Sequence, residues 1–188
     1  MSSIVTPKGN QVVPERVLKL LRPLDFTSMY DLGNKKTDGV PYGVYFRGVG
    51  IKYDSIDLNG LDGTLRLDLR TRLNLEPRDL VANIGTSEHV LEQEPVFENV
   101  HRLSSSRMVH MVPRMYSWPG HGYWEYTMRF FEILATDNAY FIEKMYVDDF
   151  YTAICCSLRK TDDRTFIWRK GILYHLRRKK GRGGVAYR

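Results

Sequence analysis

Apolar and polar positions change rhythm repeatedly along the chain, and the changes mark out its elements. Pro14 to Leu21 (PERVLKLL) puts apolar side chains at 17, 18, 20 and 21, a short amphipathic helix with proline near its first turn, closed by Arg22-Pro23. Phe26 to Leu32 reads as a buried strand running into Gly33-Asn34. Residues 41–49 suggest a short helix containing Gly43 and Gly48, and Ile51 to Leu58 alternates as a strand does. Thr64 to Leu69 is a short extended piece, and Asp79 to Ile84 is a strand ending in Gly85-Thr86. Residues 88–103 predict a helix restarted at Pro95, and Met108 to Val112 a strand stopped by Pro113. An aromatic, Gly-rich loop over 114–124 leads to a helix over Tyr126–Asn138, apolar at 130, 131, 133 and 134. Two β-rich stretches, 140–147 and 150–158, are joined through Asp148-Asp149 and predict an antiparallel hairpin.

Strands alternating with helical segments imply an α/β, Rossmann-like, mostly parallel sheet. Helices on both faces and an antiparallel C-terminal hairpin strand complete it. Residues 1–13 are expected to be loose, 14–176 to form a single domain, and 177–188 to be a basic tail. A chain of 188 residues that is 43% hydrophobic can bury a real core and is not a disordered polymer. No apolar run approaches the roughly 18 residues needed for a membrane span, and no secretory leader is visible. The two cysteines, Cys155 and Cys156, are adjacent and poorly placed to bridge each other, so a reducing, cytoplasmic setting is expected.

The net charge of +6 misleads as an average. Residues 164–188 hold nine of the 28 Lys/Arg and no acid, which leaves 19 bases against 22 acids before them. The body is mildly acidic, so the basic total does not make it a nucleic-acid-binding domain.

In open α/β sheets ligands sit outside the carboxyl ends of the strands, where strand order reverses. The first such end carries Asp31, Gly33 and Asn34; a glycine there lets a ligand approach the backbone, or simply makes a turn. It lacks the GxGxxG of a dinucleotide site. At the second, Asp57, followed by Leu58, is placed to accept two hydrogen bonds from a ribose diol, or is a solvated turn acid. Near the third, Asp68 could accept from an exocyclic amine, with Leu58 and Leu69 flanking a flat ring; the alternative is a loop acid paired with Arg70 or Arg72. The fourth carries Asn83, Ile84 and Gly85, then Ser87, Glu88 and His89, where Ser87 could equally be an N-cap and Glu88 a first-turn acid. Together these ends suit a ligand with an amino-acid end, a ribose and an adenine.

That set resembles the class I S-adenosylmethionine-dependent methyltransferase family. The likeness extends over about residues 14–158, through DLVANIGTSEHV, VFENVHRL, MVHMVP and GHGYWEYTMRFFEILATDNAY. Small bacterial and metabolite methyltransferases carry similar N-x-G-T-x-E-H-V and H-G-x-x-x-Y patterns, the second represented here by His121, Gly122 and Tyr126. The Gly-rich first motif is reduced to DLGNKK, and Ser104 to Arg107 lacks the glycine pair expected there. The resemblance implies S-adenosylmethionine as cofactor and methyl transfer to O or N of a small polar or sugar-like acceptor.

His89 and His121 are the candidate bases, because an imidazole titrates nearest neutrality. Glu88, Tyr116, Trp124 and Tyr126 are the candidate acceptor contacts. His110, inside a strand, is expected to be structural. A nucleophilic cysteine is not expected, since Cys155 and Cys156 fall in a late hydrophobic strand, nor is a metal, since no Cys/His spacing suits zinc. A second reading is a catalytically silent protein of this fold that binds a partner or RNA through its basic C-terminus; a solvated terminus is the plainer view of that segment. A nicotinamide-dependent reductase is disfavoured by the missing glycines. Nothing in the sequence fixes an oligomeric state.

Overall fold

The computed structural model describes residues 13–150 and 152–179. The readings for residues 1–12 and 180–188 lie outside the described residues. Among the described residues the α-helices are α1 (Glu15–Leu21), α2 (Tyr42–Gly48), α3 (Gln93–Leu103) and α4 (Met128–Asp137). The strands are β1 (Ser28–Leu32), β2 (Lys36–Thr37), β3 (Val40–Pro41), β4 (Lys52–Asp57), β5 (Leu65–Arg66), β6 (Arg78–Ile84), β7 (Ser104–Pro113), β8 (Trp124–Tyr126), β9 (Tyr140–Val147), β10 (Ala153–Lys160) and β11 (Leu176–Arg178).

Seven strands form one sheet in the order β5-β4-β1-β6-β7-β10-β9. Every pairing from β5 to β7 is parallel, and β10 runs antiparallel to both β7 and β9. The expected hairpin is therefore present, with β10 inside the sheet and β9 at its border. The chain leaves β1 toward β4 and β5, then returns to β6 on the other side of β1. Strand order reverses between β1 and β6, so the crevice falls where Leu32 and Ile84 end.

Both faces of the sheet are covered, as a parallel sheet requires. On one face Leu32, Ile56, Val81, Met108 and Ile154 pack with Phe97, Phe130 and Phe131 of α3 and α4. On the other, Met29, Leu80, Val109 and Cys155 pack with Val17, Leu21, Tyr45 and Phe46 of α1 and α2. The alternation of the strands thus selects which helix each side chain meets.

Local chemistry sets the ends. Thr127 caps α4, its Oγ1 accepting from the Phe130 N–H at 3.2 Å, so this helix starts two residues later than its apolar spacing predicts. Pro95 lies in the first turn of α3, where a missing N–H costs nothing, and residues 87–89 form a separate 3-10 turn before it. Asp148 Oδ1 accepts from the N–H groups of Thr152 and Ala153 at 2.7 and 2.9 Å and pins the β9–β10 connection. Two small pairings add to the expected strands: β2 with β3, closed by the two-residue Asp38-Gly39 turn, and β8 with β11, which has no local signal. The second places Arg177 and Arg178 in a strand, so the expected boundary at 176/177 falls inside an ordered element. Among the described residues no helix is long and apolar enough to cross a membrane.

Candidate active site

A cavity of about 340 Å³ opens at the carboxyl ends of β1, β4 and β6. Gly33, Asp57, Leu58, Asp68, Leu69, Gly85 and His89, all singled out from the sequence, line it. Gly33 has φ +91°, and a Cβ there would lie 2.5 Å from Thr86 Oγ1, which is itself held by the Leu32 carbonyl. Only glycine fits that backbone and that closeness. Gly85, at φ +63°, forms the opposite lip.

Asp57 stands at the tip of β4. Its two oxygens accept from the backbone N–H groups of Asn34 (3.1 Å) and Asn59 (2.9 Å). A carboxylate has about four acceptor positions, so two remain for a ligand. Asn34 contributes its backbone to this contact, while its side-chain amide donates to the Leu61 carbonyl and to Asp62. Asp68 differs: both its oxygens are taken by the Arg70 guanidinium, and the Arg70 N–H adds a third donor. The Arg70 side-chain bonds hold the Asp68 carboxyl below its usual range. It is the Arg-paired loop acid of the alternative reading, seated in the cavity wall.

Asp31 does not line the cavity. It is fully buried below Gly33, where Tyr53 donates to its Oδ2 at 2.9 Å and Oδ1 has no hydrogen-bond partner. Burial pushes its carboxyl up to about 7, against the pull of Lys35 and Tyr53. Lys35 is a residue that the pattern of the sequence did not single out. Its ammonium crosses the notch to donate to the Gly85 carbonyl at 2.6 Å, and it lines the cavity with Thr86, Val90, Leu91, Glu92 and Tyr123. Its position two residues after Gly33, where the chain leaves β1, was the available signal.

Asn83 and Ile84 support the wall from behind. Asn83 Oδ1 accepts from Ser87 N–H at 3.0 Å and its amide donates to Ser87 Oγ at 2.8 Å, with His110 Nδ1 at 3.2 Å. Ser87 Oγ then meets the Tyr126 hydroxyl at 2.8 Å, which donates to Gln93 Oε1 at 2.6 Å. This buried network fixes the 85–90 turn. Tyr126 belongs to it and to the aromatic packing with Phe97, Phe130 and Phe131, and touches no open space. Trp124 Nε1–H donates to the Leu91 carbonyl and so positions the wall without lining it. Tyr116 lies 75% exposed, with Arg177 over its ring. His110 is buried in the network, and burial pushes it down to about 3. Cys155 and Cys156 are free and buried, and burial raises both thiols, which leaves them poor nucleophiles.

Glu88, His89 and His121 come together at the cavity's edge. Glu88 is fully buried, with Oε1 3.4 Å from His121 Nε2 and 3.9 Å from His89 Nε2. The two rings meet edge to face with centroids 4.6 Å apart, and Trp118 lies against His121. Burial lowers His89 despite the opposing pull of Glu88, so it is neutral at pH 7 and able to accept a proton. Tyr123 N–H donates to the Glu88 carbonyl at 2.7 Å and tethers the 114–124 loop to this turn.

The basic segment secures that same loop. Glu125, 1% exposed, accepts from Lys179 Nζ (3.0 Å), Arg177 (3.3 Å) and the Tyr116 N–H (3.0 Å). Lys179 Nζ also donates to the carbonyls of Trp118 and His121. Burial alone would raise the Glu125 carboxyl, but the Tyr116 N–H and Lys179 outweigh it and lower it. Lys179→Ala leaves a buried charge without its nearest partner, so a loss of about 3 kcal/mol is expected in a denaturant titration. Arg178→Ala, at the exposed last position of β11, is expected to stay within about 0.5 kcal/mol of the parent. Equal midpoints for the two variants would contradict the clamp.

No family model matches the chain, and no curated protein sequence does. Solved structures do match its architecture. An N-methyltransferase from Bradyrhizobium japonicum in complex with S-adenosyl-L-homocysteine is similar with a TM-score of 0.58 and 11% identity, over 79% of this chain and 85% of that one. Magnesium protoporphyrin IX methyltransferase from Synechocystis with bound S-adenosylhomocysteine gives 0.56 and 14%, over 77% and 79%. An S-adenosylmethionine-dependent methyltransferase from Aquifex aeolicus gives 0.55 and 15%, over 79% and 89%. At these identities the likeness speaks to architecture, and the architecture of this chain is the Rossmann-like fold of the S-adenosylmethionine-dependent methyltransferases.

Proposed function

We propose that the protein binds S-adenosylmethionine in the notch between β1 and β6 and methylates O or N of a small polar or sugar-like acceptor. One observation carries this reading: Gly33, Asp57 and Gly85, each at the end of a different strand, converge on one cavity. The residues present fit such a ligand. Gly33 and Gly85 leave room for it against the backbone, Asp57 keeps two acceptor positions for a diol, and Leu58 and Leu69 offer apolar walls for a flat ring.

When bound, the cofactor supplies a methyl group activated on a sulfonium, which departs as a neutral thioether. The chain's own part is alignment, exclusion of water and handling of one proton. His89, neutral and in the cavity wall, would take the acceptor's proton during the transfer. Glu88 behind it stabilises the resulting imidazolium. Arg177 and Lys179 are engaged by Glu125, which favours the enzyme over a protein that offers its basic end to RNA.

Calorimetric titration with S-adenosylhomocysteine tests the reading. Micromolar binding is expected, and an undetectable interaction at millimolar ligand would refute it.

A further inference from the structure

We propose that Glu88, His89 and His121 form a binding site for a divalent transition-metal ion of the Zn²⁺ class. This stands on the side chains alone, so its failure would leave the methyl-transfer reading intact, whereas an ion bound here would displace the proton-accepting role proposed for His89.

One ligand atom from each of the three residues lies within 4.8 Å of the other two. Around a tetrahedral ion with bonds of about 2.0–2.1 Å, ligand atoms stand roughly 3.3–3.4 Å apart. Glu88 Oε1 to His121 Nε2 is already 3.4 Å, and Glu88 Oε1 to His89 Nε2 is 3.9 Å. The third separation, His89 to His121, lies within 4.8 Å. The carboxylate is a second, independent pointer. Glu88 is fully buried, and its Oε2 has no hydrogen-bond partner. A buried carboxylate oxygen left without a donor is costly, and an ion gripped by both Glu88 oxygens, Oε1 beside the histidines and Oε2 behind it, would offset the cost.

The donor set selects the ion. Two imidazoles and one carboxylate suit Zn²⁺, Co²⁺ or Fe²⁺, whereas Mg²⁺ and Ca²⁺ prefer oxygen alone. Lys35 and Lys179 both act electrostatically on His89, so any cation here meets repulsion that only strong donor bonds overcome. Three protein ligands leave a fourth position free, as in a catalytic rather than a structural site. His89 lines the cavity, so that position borders the notch proposed for S-adenosylmethionine. An ion and a proton would compete for the same imidazole nitrogens.

The sequence gives this site no spacing signature, because His121 lies 32 positions after His89. The fold assembles it through the Tyr123 N–H to Glu88 carbonyl bond.

Titration of the chelator-stripped full chain with Co²⁺ tests the proposal. Expected is saturable binding of one ion per chain, with the visible absorption of four- or five-coordinate Co²⁺, displaced by Zn²⁺ but not by excess Mg²⁺. His121→Ala, at a position one-third exposed, should weaken binding beyond the roughly 10–100-fold lost with an outer-shell partner. His175→Ala, on the 3-10 turn Lys170–His175, should leave it unchanged. Absence of saturable binding, displacement by Mg²⁺, or equal affinity in His121→Ala would each overturn the proposal. Thermal unfolding of His121→Ala confirms that the variant tested is folded.

Discussion

Asp57→Ala is expected to weaken S-adenosylhomocysteine binding by about 100-fold or more in calorimetric titration. A carboxylate that receives a ribose diol makes two charge-assisted hydrogen bonds, each contributing about 1.5–3 kcal/mol. Loss of both exceeds the roughly 2.8 kcal/mol that a 100-fold change requires. Truncation also frees the N–H groups of Asn34 and Asn59, so the turn beside Gly33 loosens as the contact disappears. Asp57→Asn separates these effects, since one amide oxygen still accepts from the backbone, and an intermediate loss is expected. Asp68→Ala provides the contrast. Its carboxylate is held by Arg70, so a change of less than about threefold is expected, although Asp68 lines the same cavity. Equal affinities for Asp57→Ala and the parent would remove the basis for placing a ribose at β4.

The difference between these two acids shows what the sequence made legible. Strand ends could be read because they combine local periodicity with a local glycine or acid, and Gly33, Asp57 and Gly85, read that way, line one cavity. Whether an acid at such an end is free or paired depends on three-dimensional neighbours; Asp68 and Arg70 are close in sequence, so pairing stood as an open alternative. Long-range partnerships left no such trace. Trp124–Tyr126 pairs with Leu176–Arg178 across some fifty residues, and neither segment carries a hairpin turn that would announce the other. Without that pairing, Lys179 reads as part of a solvated charge run. With it, the side chain is 9% exposed and holds Glu125 and two carbonyls of the loop. Tyr126 fell between readings for a related reason. An aromatic residue beside a loop suggests a ligand contact, but the Thr127 cap turns the chain into α4 and carries the Tyr126 ring into the core.

Asp31→Asn is expected to stabilise the protein by up to about 4 kcal/mol at pH 8 and by almost nothing at pH 4. Burial raises the Asp31 carboxyl from 3.8 to about 7, with Lys35 and Tyr53 only partly opposing it. The folded state therefore holds a proton between those values that the unfolded chain has released, and above pH 7 it carries a buried charge that costs stability. Histidines act in the opposite sense. Burial lowers His110 to about 3, and burial with the charge of Lys160 lowers His101 to about 4. Below an unfolded value of about 6.5 the unfolded chain binds these two protons and the folded protein does not. From about pH 4 to 6.5 the unfolded state thus holds one more proton from these three groups, and stability rises by about 1.4 kcal/mol per pH unit. Removing Asp31 leaves only the histidine pair, so the slope in Asp31→Asn steepens to about 2.7 kcal/mol per unit. His89, also lowered by burial, adds to both slopes equally. Urea midpoints across this range measure the effect, and parallel curves for parent and variant would show that Asp31 does not hold its proton. The cost lies two residues from Gly33, at the foot of the proposed cofactor notch. If the acid is retained for the ligand, the variant's gain in stability will be accompanied by weaker S-adenosylhomocysteine binding, the exchange expected where a binding site is held against stability.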